Sequence, residues 1–133
     1  MQIANQEGAK DMSQNIKTVN AYLGGFRKND HEQILSCLTD DIKWTVFGAF
    51  RLTGKDAYDK AIDGAPEFID PPDLEVVRMV EQGDVVMAEL TGTAKRAAGG
   101  EMRMSMAEVF VMHDGKIAER RAWVIVLKEN DYR

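Results

Sequence analysis

The sequence predicts an α+β fold in which three helices cover one face of a curved antiparallel β-sheet. Three stretches with apolar residues at helical spacing lie in the first half of the chain. Pro71-Pro72 then blocks any helix, and β segments follow at hairpin spacing almost to the end. At 133 residues the chain is long enough for one core. We therefore expect a flexible arm over residues 1–12 and a single domain over residues 13–130.

The first two helices are predicted by apolar stripes and by a capping pattern. An amphipathic stripe over residues 12–28 predicts the first helix, and Gly24-Gly25 within it suggests close approach to another element. Asp30 and Gln33 have the spacing of a capping box, so a second, shorter helix begins there. Its end is expected at the Thr39-Asp40-Asp41 stretch, before the first strand.

The next strand and helix are predicted from alternation and from a second capping pattern. Residues 42–47 alternate as a strand and place Trp44 on one face. Thr53 and Asp56 again have capping-box spacing, which predicts a third helix. Gly64 and Pro66 are expected to end that helix.

The second half of the chain is predicted to be an antiparallel meander. Its β segments are expected at residues 74–81, 84–95, 101–112 and 116–127. Asp114-Gly115 supplies the positive φ angles of a two-residue type I′ turn between the last two strands. That turn predicts Glu108 opposite Arg121 and Met106 opposite Trp123.

The two faces of the predicted sheet differ in character. One face combines large apolar side chains with charges, which is typical of a pocket wall: Met104, Met106, Glu108, Phe110, Glu119, Arg121 and Trp123, joined by Met87 and Glu89. The other face is small and apolar: Ala107, Val109, Ala118, Ala122 and Val124, joined by Val86, Ala88, Leu90, Gly92 and Ala94. We therefore expect a two-fold homodimer that packs through this outer Ala and Val face.

Composition argues against several classes of protein. With 44% hydrophobic and 29% charged residues the chain resembles an ordinary globular protein, and no apolar run reaches membrane-spanning length. The net charge of −5 with scattered Lys and Arg makes nucleic acid an unexpected partner. Cys37 is the single cysteine and the two His are isolated, so we expect no disulfide and no metal site. The first residues lack the features of a secretion signal, so a cytoplasmic location is expected.

Three stretches carry a resemblance to a known family. They are YLGGFRKNDHEQILSCLTDD over residues 22–41, the Gly54 start of helix three, and the terminal DGKIAERRAW. Together with the order of elements, they resemble the nuclear transport factor 2-like superfamily, and within it the SnoaL-like polyketide cyclase and ketosteroid isomerase branch. The resemblance implies a cone-shaped sheet with the helices over its concave face. It does not imply one activity, because this fold hosts several enzyme types and non-catalytic adaptors.

The resemblance implies roles for two residues. Tyr22 stands where ketosteroid isomerases keep the tyrosine that hydrogen-bonds the substrate oxyanion, and Glu108 stands where they keep a protonated acid. The aspartate base of those enzymes is replaced here by Val46 or Phe47. Polyketide cyclases keep an acid on the last strand, where this chain has Ile125. The paired histidines of the fungal dehydratases also have no counterpart.

The sequence allows two interpretations of these residues. Tyr22 and a neutral Glu108 could donate hydrogen bonds to a developing oxyanion, or Glu108 could form an ion pair with Arg121 and Tyr22 could be a core residue. Glu89 could likewise pair with Arg78. The residues expected to contact a ligand are Trp44, Tyr58, Met87, Glu89, Met106, Phe110, Arg121 and Trp123. The function predicted is binding of a small apolar molecule, with or without cofactor-independent isomerase, cyclase or hydrolase activity; the alternative is a non-catalytic carrier or dimerising adaptor.

Overall fold

The structure is a computed structural model, and it describes residues 12–63 and 71–128. The helices in these ranges are α1 (Gln14–Lys28), α2 (His31–Ser36) and α3 (Lys55–Ile62). The strands are β1 (Leu38–Val46), β2 (Phe50–Thr53), β3 (Asp73–Gln82), β4 (Val85–Lys95), β5 (Glu101–His113) and β6 (Lys116–Leu127). The predicted arm at residues 1–12 lies almost wholly outside the described residues, as does the predicted helix end at Gly64 and Pro66.

The six strands form one curved, open sheet in the order β2-β1-β6-β5-β4-β3. The α+β class and the three helices over a curved sheet are confirmed. The predicted antiparallel meander of the last four strands is confirmed. The sheet as a whole is mixed rather than antiparallel, because β1 runs parallel to β6. The pairing starts at Leu38 opposite Ile117, so the stretch expected to end the second helix is already part of a strand. The short strand β2, which pairs with β1, was not predicted.

Local hydrogen bonds explain where the helices begin. Ser13 and Asp30 cap α1 and α2, since their side chains accept hydrogen bonds from the backbone N–H groups of Ile16 and Gln33. The predicted cap at Thr53 was wrong. Thr53 belongs to β2, and α3 begins at Gly54 without a side-chain cap.

The glycine pair in α1 allows two helices to approach closely. A Cβ atom added at Gly25 would lie 2.8 Å from Cγ1 of Ile34 and 3.2 Å from its backbone nitrogen. The same atom at Gly24 would meet only Nε2 of Gln33, at an ordinary 3.5 Å. The predicted close approach is therefore confirmed at Gly25, where α1 crosses α2.

One extra residue in β6 changes which side chains face the helices. Asp114 and Gly115 have the predicted positive φ angles, 51° and 78°, and join β5 to β6 as a tight hairpin. Met112 pairs with Ile117, but Val111 pairs with Glu119, so Ala118 forms a bulge. Beyond it every partner is shifted by one residue.

The bulge contradicts the predicted cross-strand pairs. Glu108 lies opposite Ala122 rather than Arg121, and Met106 lies opposite Val124 rather than Trp123. As a result Ala122 is fully buried, and Arg120 is the arginine on the concave side of the sheet. Trp123 is instead 40% exposed. The Trp123 pocket position and the outward placement of Ala122 were therefore wrong.

The faces of β4 are also the reverse of the prediction. Its small apolar residues are buried on the concave side: Val86, Ala88, Leu90, Gly92 and Ala94. The methionines of β5 explain this, because a Cβ atom at Gly92 would lie 2.9 Å from Cε of Met106 and 3.2 Å from Cε of Met104. Small residues on β4 therefore make room for large ones on β5. Met87 and Glu89, expected in the pocket, lie exposed on the outer face.

The core lies between the helices and the concave face of the sheet. Its largest fully buried aromatic side chains are Tyr22 of α1, Tyr58 of α3 and Phe110 of β5. None of the helices in the described ranges is long and apolar enough to cross a membrane.

Candidate functional site

Four polar side chains meet in the middle of the core, and we call them the buried polar cluster: Tyr22, Tyr58, Glu108 and Arg120. Tyr22 and Tyr58 are completely buried, Glu108 is 1% exposed and Arg120 is 9% exposed. Two helices and two strands supply them, so the cluster connects the helical layer to the sheet. Buried ionisable groups of this kind are stable only when they are paired.

Glu108 and Arg120 form a bidentate ion pair. Nε of Arg120 donates to Oε1 of Glu108 at 2.8 Å, and Nη2 donates to Oε2 at 2.7 Å. Both carboxylate oxygens are therefore acceptors, as in a fork-to-fork arginine–carboxylate pair. This geometry favours the ion-pair interpretation of Glu108 over the neutral proton donor. The partner, however, is Arg120 and not the predicted Arg121.

The two tyrosines complete the hydrogen bonding around Arg120. Nη1 of Arg120 donates to the hydroxyl of Tyr22 at 2.5 Å and to that of Tyr58 at 3.4 Å, and the two hydroxyls are bonded to each other. Burial raises the pKa of both phenols, and that of Tyr22 lies well above its usual range. Burial acts to lower the pKa of Arg120, but the Glu108 carboxylate holds it well above its usual range. The cluster thus contains one cation, one anion and two neutral phenols.

Counting hydrogens shows that the cluster has more donors than acceptors. One phenol hydrogen is used in the bond between Tyr22 and Tyr58, and the other has no acceptor among the described residues. Trp44 adds a further surplus donor, because its buried Nε1 also has no hydrogen-bond partner in the described ranges. Unpaired buried donors are uncommon in native proteins and point to strain, to an unseen partner or to function.

Two aromatic rings pack against the buried polar cluster. The guanidinium carbon of Arg120 lies 4.4 Å from the ring centre of Trp44 and 5.5 Å from that of Phe26. Trp44 also stacks on Tyr58, with ring centres 4.6 Å apart. These contacts are within the range of cation–π and aromatic interactions. Trp44 and Phe26 therefore lie against the cluster.

A cavity of about 850 Å³ is formed between the helices and one end of the concave face. Its lining is mostly apolar, and side chains from α1 and from strands β1, β5 and β6 contribute: Phe26, Trp44, Val46, Met102, Met104 and Val124. Two lining residues have conventional polar side chains in the described part of the chain, Asn29 just after α1 and Asp63 just after α3. The four members of the buried polar cluster do not line the cavity. Phe26 and Trp44, which pack against the cluster, do line it.

Asp63 belongs to a small charged group at the edge of this cavity. Nδ1 of His31 lies 2.5 Å from Oδ1 of Asp59, and Nε2 lies 2.8 Å from Oδ1 of Asp63. The hydrogen bonds to Asp59 and Asp63 raise the pKa of His31 above its ordinary 6.5. A protonated imidazole can donate through both nitrogens, so His31 connects the start of α2 to the end of α3.

The structure brings some predicted site residues together and separates others. Five of them meet at the core: Tyr22, Trp44, Tyr58, Phe110 and Glu108, with Met106 beside them. Four lie on the outer face instead, where they do not reach the cavity: Met87, Glu89, Arg121 and Trp123. Glu89 forms the alternative ion pair with Arg78, at 2.9 Å.

Sequence reasoning missed Arg120 and Asp63. Arg120 is adjacent to the arginine that was chosen, and the alternation pattern alone gave no sign of the bulge at Ala118. His31 and Asp63 are far apart in sequence, and no motif joins them. In the described ranges, no three His, Cys, Asp or Glu side chains are grouped so that they could hold a metal ion.

Comparison with known proteins identifies the fold and the domain type. The family model described as the SnoaL-like domain matches residues 19–120. No curated protein matches the chain. Among solved structures, TerC co-crystallised with polyporic acid is 25% identical, with a TM-score of 0.74 over 86% of this chain and 92% of that one.

Two further structures have the same fold at lower identity. An LEH-like epoxide hydrolase from M. tuberculosis is 20% identical, with a TM-score of 0.75 over 84% of this chain and 83% of that one. An NTF2-like protein of unknown function from Burkholderia pseudomallei is also 20% identical, with a TM-score of 0.77 over 84% of this chain and 90% of that one. The NTF2-like architecture predicted from the sequence is confirmed.

Proposed function

Because the chain belongs to the SnoaL-like domain family, we propose that it binds a small, flat, apolar molecule in the cavity beside Phe26, Trp44 and Met104. The observation that carries this proposal is the size and lining of the cavity. Ligand sites are typically concave spaces of roughly 300–1,000 Å³, mostly apolar with a few polar groups. A cavity of about 850 Å³ with this lining fits that description.

The shape of the ligand follows from the aromatic wall. Trp44 and Phe50 both line the cavity, with ring centres 5.0 Å apart in an edge-to-face arrangement. Planar rings offer their faces and edges to a planar ligand, and the flexible thioethers of Met102 and Met104 adapt to its outline. A rigid ring system is therefore a better match than a long flexible chain.

The buried polar cluster supports a binding role more than a catalytic one. The groups expected to act as catalysts, Tyr22 and Glu108, do not line the cavity, and both Glu108 oxygens are occupied by Arg120. A catalytic residue must reach the reacting atoms. In the proposed function the cluster connects the helices to the sheet and holds Trp44 in place.

A second candidate is a cofactor-independent enzyme of isomerase, cyclase or hydrolase type. The observation that favours it is the surplus of donors, namely the N–H of Trp44 and one phenol hydrogen of the Tyr22–Tyr58 pair. Donors that await an acceptor can stabilise a developing oxyanion. This candidate requires Trp44 to move, so that a ligand oxygen can reach the donors.

We also propose that two copies of the chain associate through the outer face of the sheet. Several large apolar side chains are exposed there: Val80, Met87, Trp123 and Ile125. The same face carries the Arg78–Glu89 and Arg121–Glu119 pairs. A two-fold axis would bring this one surface onto itself, so that apolar side chains are covered and opposite charges can meet across the interface.

Calorimetric titration with 2-methoxynaphthalene, a flat apolar probe, tests the binding proposal. Val124→Trp places a bulky indole on the cavity wall and should weaken binding by at least about tenfold, since the indole competes with the ring of the probe for the space beside Val124. Ile125→Trp is the matched control, because Ile125 is the next residue on β6 and points away from the cavity. Equal affinity for both variants, or no binding by the wild-type protein, would show that the cavity is not the site.

Turnover of small ketones, lactones or epoxides, abolished by Tyr22→Phe in a folded variant, would favour the second candidate.

A further inference from the structure

We infer that Asp63 binds the polar end of the ligand, so that the cavity selects a flat apolar molecule that carries a hydrogen-bond donor such as a ring hydroxyl group. The inference deepens the proposed binding function and rests on it. Among the described residues, the cavity wall is apolar except near Asn29 and Asp63.

Asp63 has the free hydrogen-bonding capacity that this role needs. Its Oδ1 accepts a hydrogen bond from Nε2 of His31 at 2.8 Å, while Oδ2 has no partner among the described residues. A carboxylate oxygen has no hydrogen to donate and accepts hydrogen bonds only. Asp63 can therefore hold a hydroxyl or N–H group of a ligand, and it repels a ligand that ends in an acid.

His31 fixes the direction of that carboxylate. Its two ring nitrogens contact Asp63 on one side and Asp59, one helical turn earlier in α3, on the other. Asp63 comes just after the last turn of α3, where a side chain has little packing to restrain it, and it is 65% exposed. The bond to His31 occupies Oδ1 and so restricts how the carboxylate can turn. His31 is thus a positioning residue, and Asp63 is the residue that touches the ligand.

Apolar surface next to the carboxylate makes the contact selective. Ile62 and Pro72 line the same cavity as Asp63, so a ligand bound there covers part of the carboxylate with apolar atoms. A ligand with a donor replaces the water that is lost from Asp63, whereas a ligand without one leaves the carboxylate partly unsatisfied. The ligand class is therefore an apolar ring compound with a hydroxyl or amine substituent at one end.

A matched pair of probes tests the inference. 2-Naphthol carries a hydroxyl donor, and 2-methoxynaphthalene has the same rings but only an acceptor. Wild-type protein should bind 2-naphthol about tenfold more tightly than 2-methoxynaphthalene in calorimetric titrations. Asp63→Asn should reduce this ratio to about twofold or less, with the affinity for 2-methoxynaphthalene unchanged. Asp56→Asn is the control, since it removes the same charge from the exposed side of α3.

The positioning role of His31 has a separate readout. His31→Asn should lower the 2-naphthol to 2-methoxynaphthalene ratio while it leaves the binding of 2-methoxynaphthalene intact. A general loss of structure would weaken the binding of both probes alike.

The inference is overturned if the wild-type protein binds both probes equally, or if Asp63→Asn and Asp56→Asn behave alike. If neither probe binds, the proposed function itself fails. Binding of both probes without discrimination removes only the role of Asp63.

Discussion

Replacement of Glu108 by Gln should be among the most destabilising conservative substitutions in this chain. Glu108 is 1% exposed, and its two oxygens accept hydrogen bonds of 2.8 and 2.7 Å from Arg120. Gln keeps the shape but removes the charge and puts an NH₂ group against the guanidinium. Removing one partner of a buried ion pair leaves an uncompensated charge, which costs about 3–5 kcal/mol of unfolding free energy.

Equilibrium unfolding in urea, at one fixed protein concentration, measures this loss. Glu89→Gln is the matched control, because Glu89 also pairs with an arginine, at 2.9 Å, but both side chains are largely exposed. An exposed pair contributes about 0–1 kcal/mol, so the control should lose little. The double variant Glu108→Leu with Arg120→Met should regain most of the stability, since it leaves no unpaired charge. Similar losses for Glu108→Gln and Glu89→Gln, or a double variant weaker than Glu108→Gln, would refute this reasoning.

Three further predictions concern the helices and the outer face. Gly25→Ala should destabilise the protein because its Cβ has no room, whereas Gly24→Ala should stabilise it by up to about 1 kcal/mol through helix propensity, as measured by urea unfolding. The pKa of His31 is raised in the folded state, so its contribution to stability is fully present below the unfolded value near 6.5 and is lost as the pH rises through the folded value. The stability difference between wild type and His31→Asn should therefore shrink from pH about 5 to about 9; a difference that grows with pH contradicts the assignment. Trp123→Glu should convert a dimer to a monomer in sedimentation velocity, and a wild-type protein that is already monomeric removes the dimer proposal.

Much of the fold was predictable because it depends on local patterns. The Asp30 cap and the Asp114-Gly115 turn are encoded by a few neighbouring residues, and both formed as predicted. The bounds of β6 also match the expected range of 116–127. The pairing of strands that are distant in sequence was harder to predict. The parallel pairing of β1 with β6 joins segments far apart in sequence, and no local pattern specifies it.

The candidate site was predicted only in part because one bulge changed its register. Alternation identifies two faces of a strand but does not show that a residue such as Ala118 is extra. Alternation placed Glu108 on the correct face of its strand, and the family resemblance indicated Tyr22, whereas the partner of Glu108 was misassigned by one position. On β4 the error had another cause. Small residues were expected outside, but they face inward because Met104 and Met106 fill the space opposite Gly92.

The most direct test of the central claim is a methyl NMR titration of methionine-labelled protein with 2-methoxynaphthalene. Met102 and Met104 line the cavity, while Met87 is exposed on the outer face of the sheet. If the cavity binds flat apolar molecules, the methyl signals of Met102 and Met104 should shift in a saturable manner and that of Met87 should stay in place. Saturable shifts at Met87 alone, or no saturable shift at any methionine, would contradict the account.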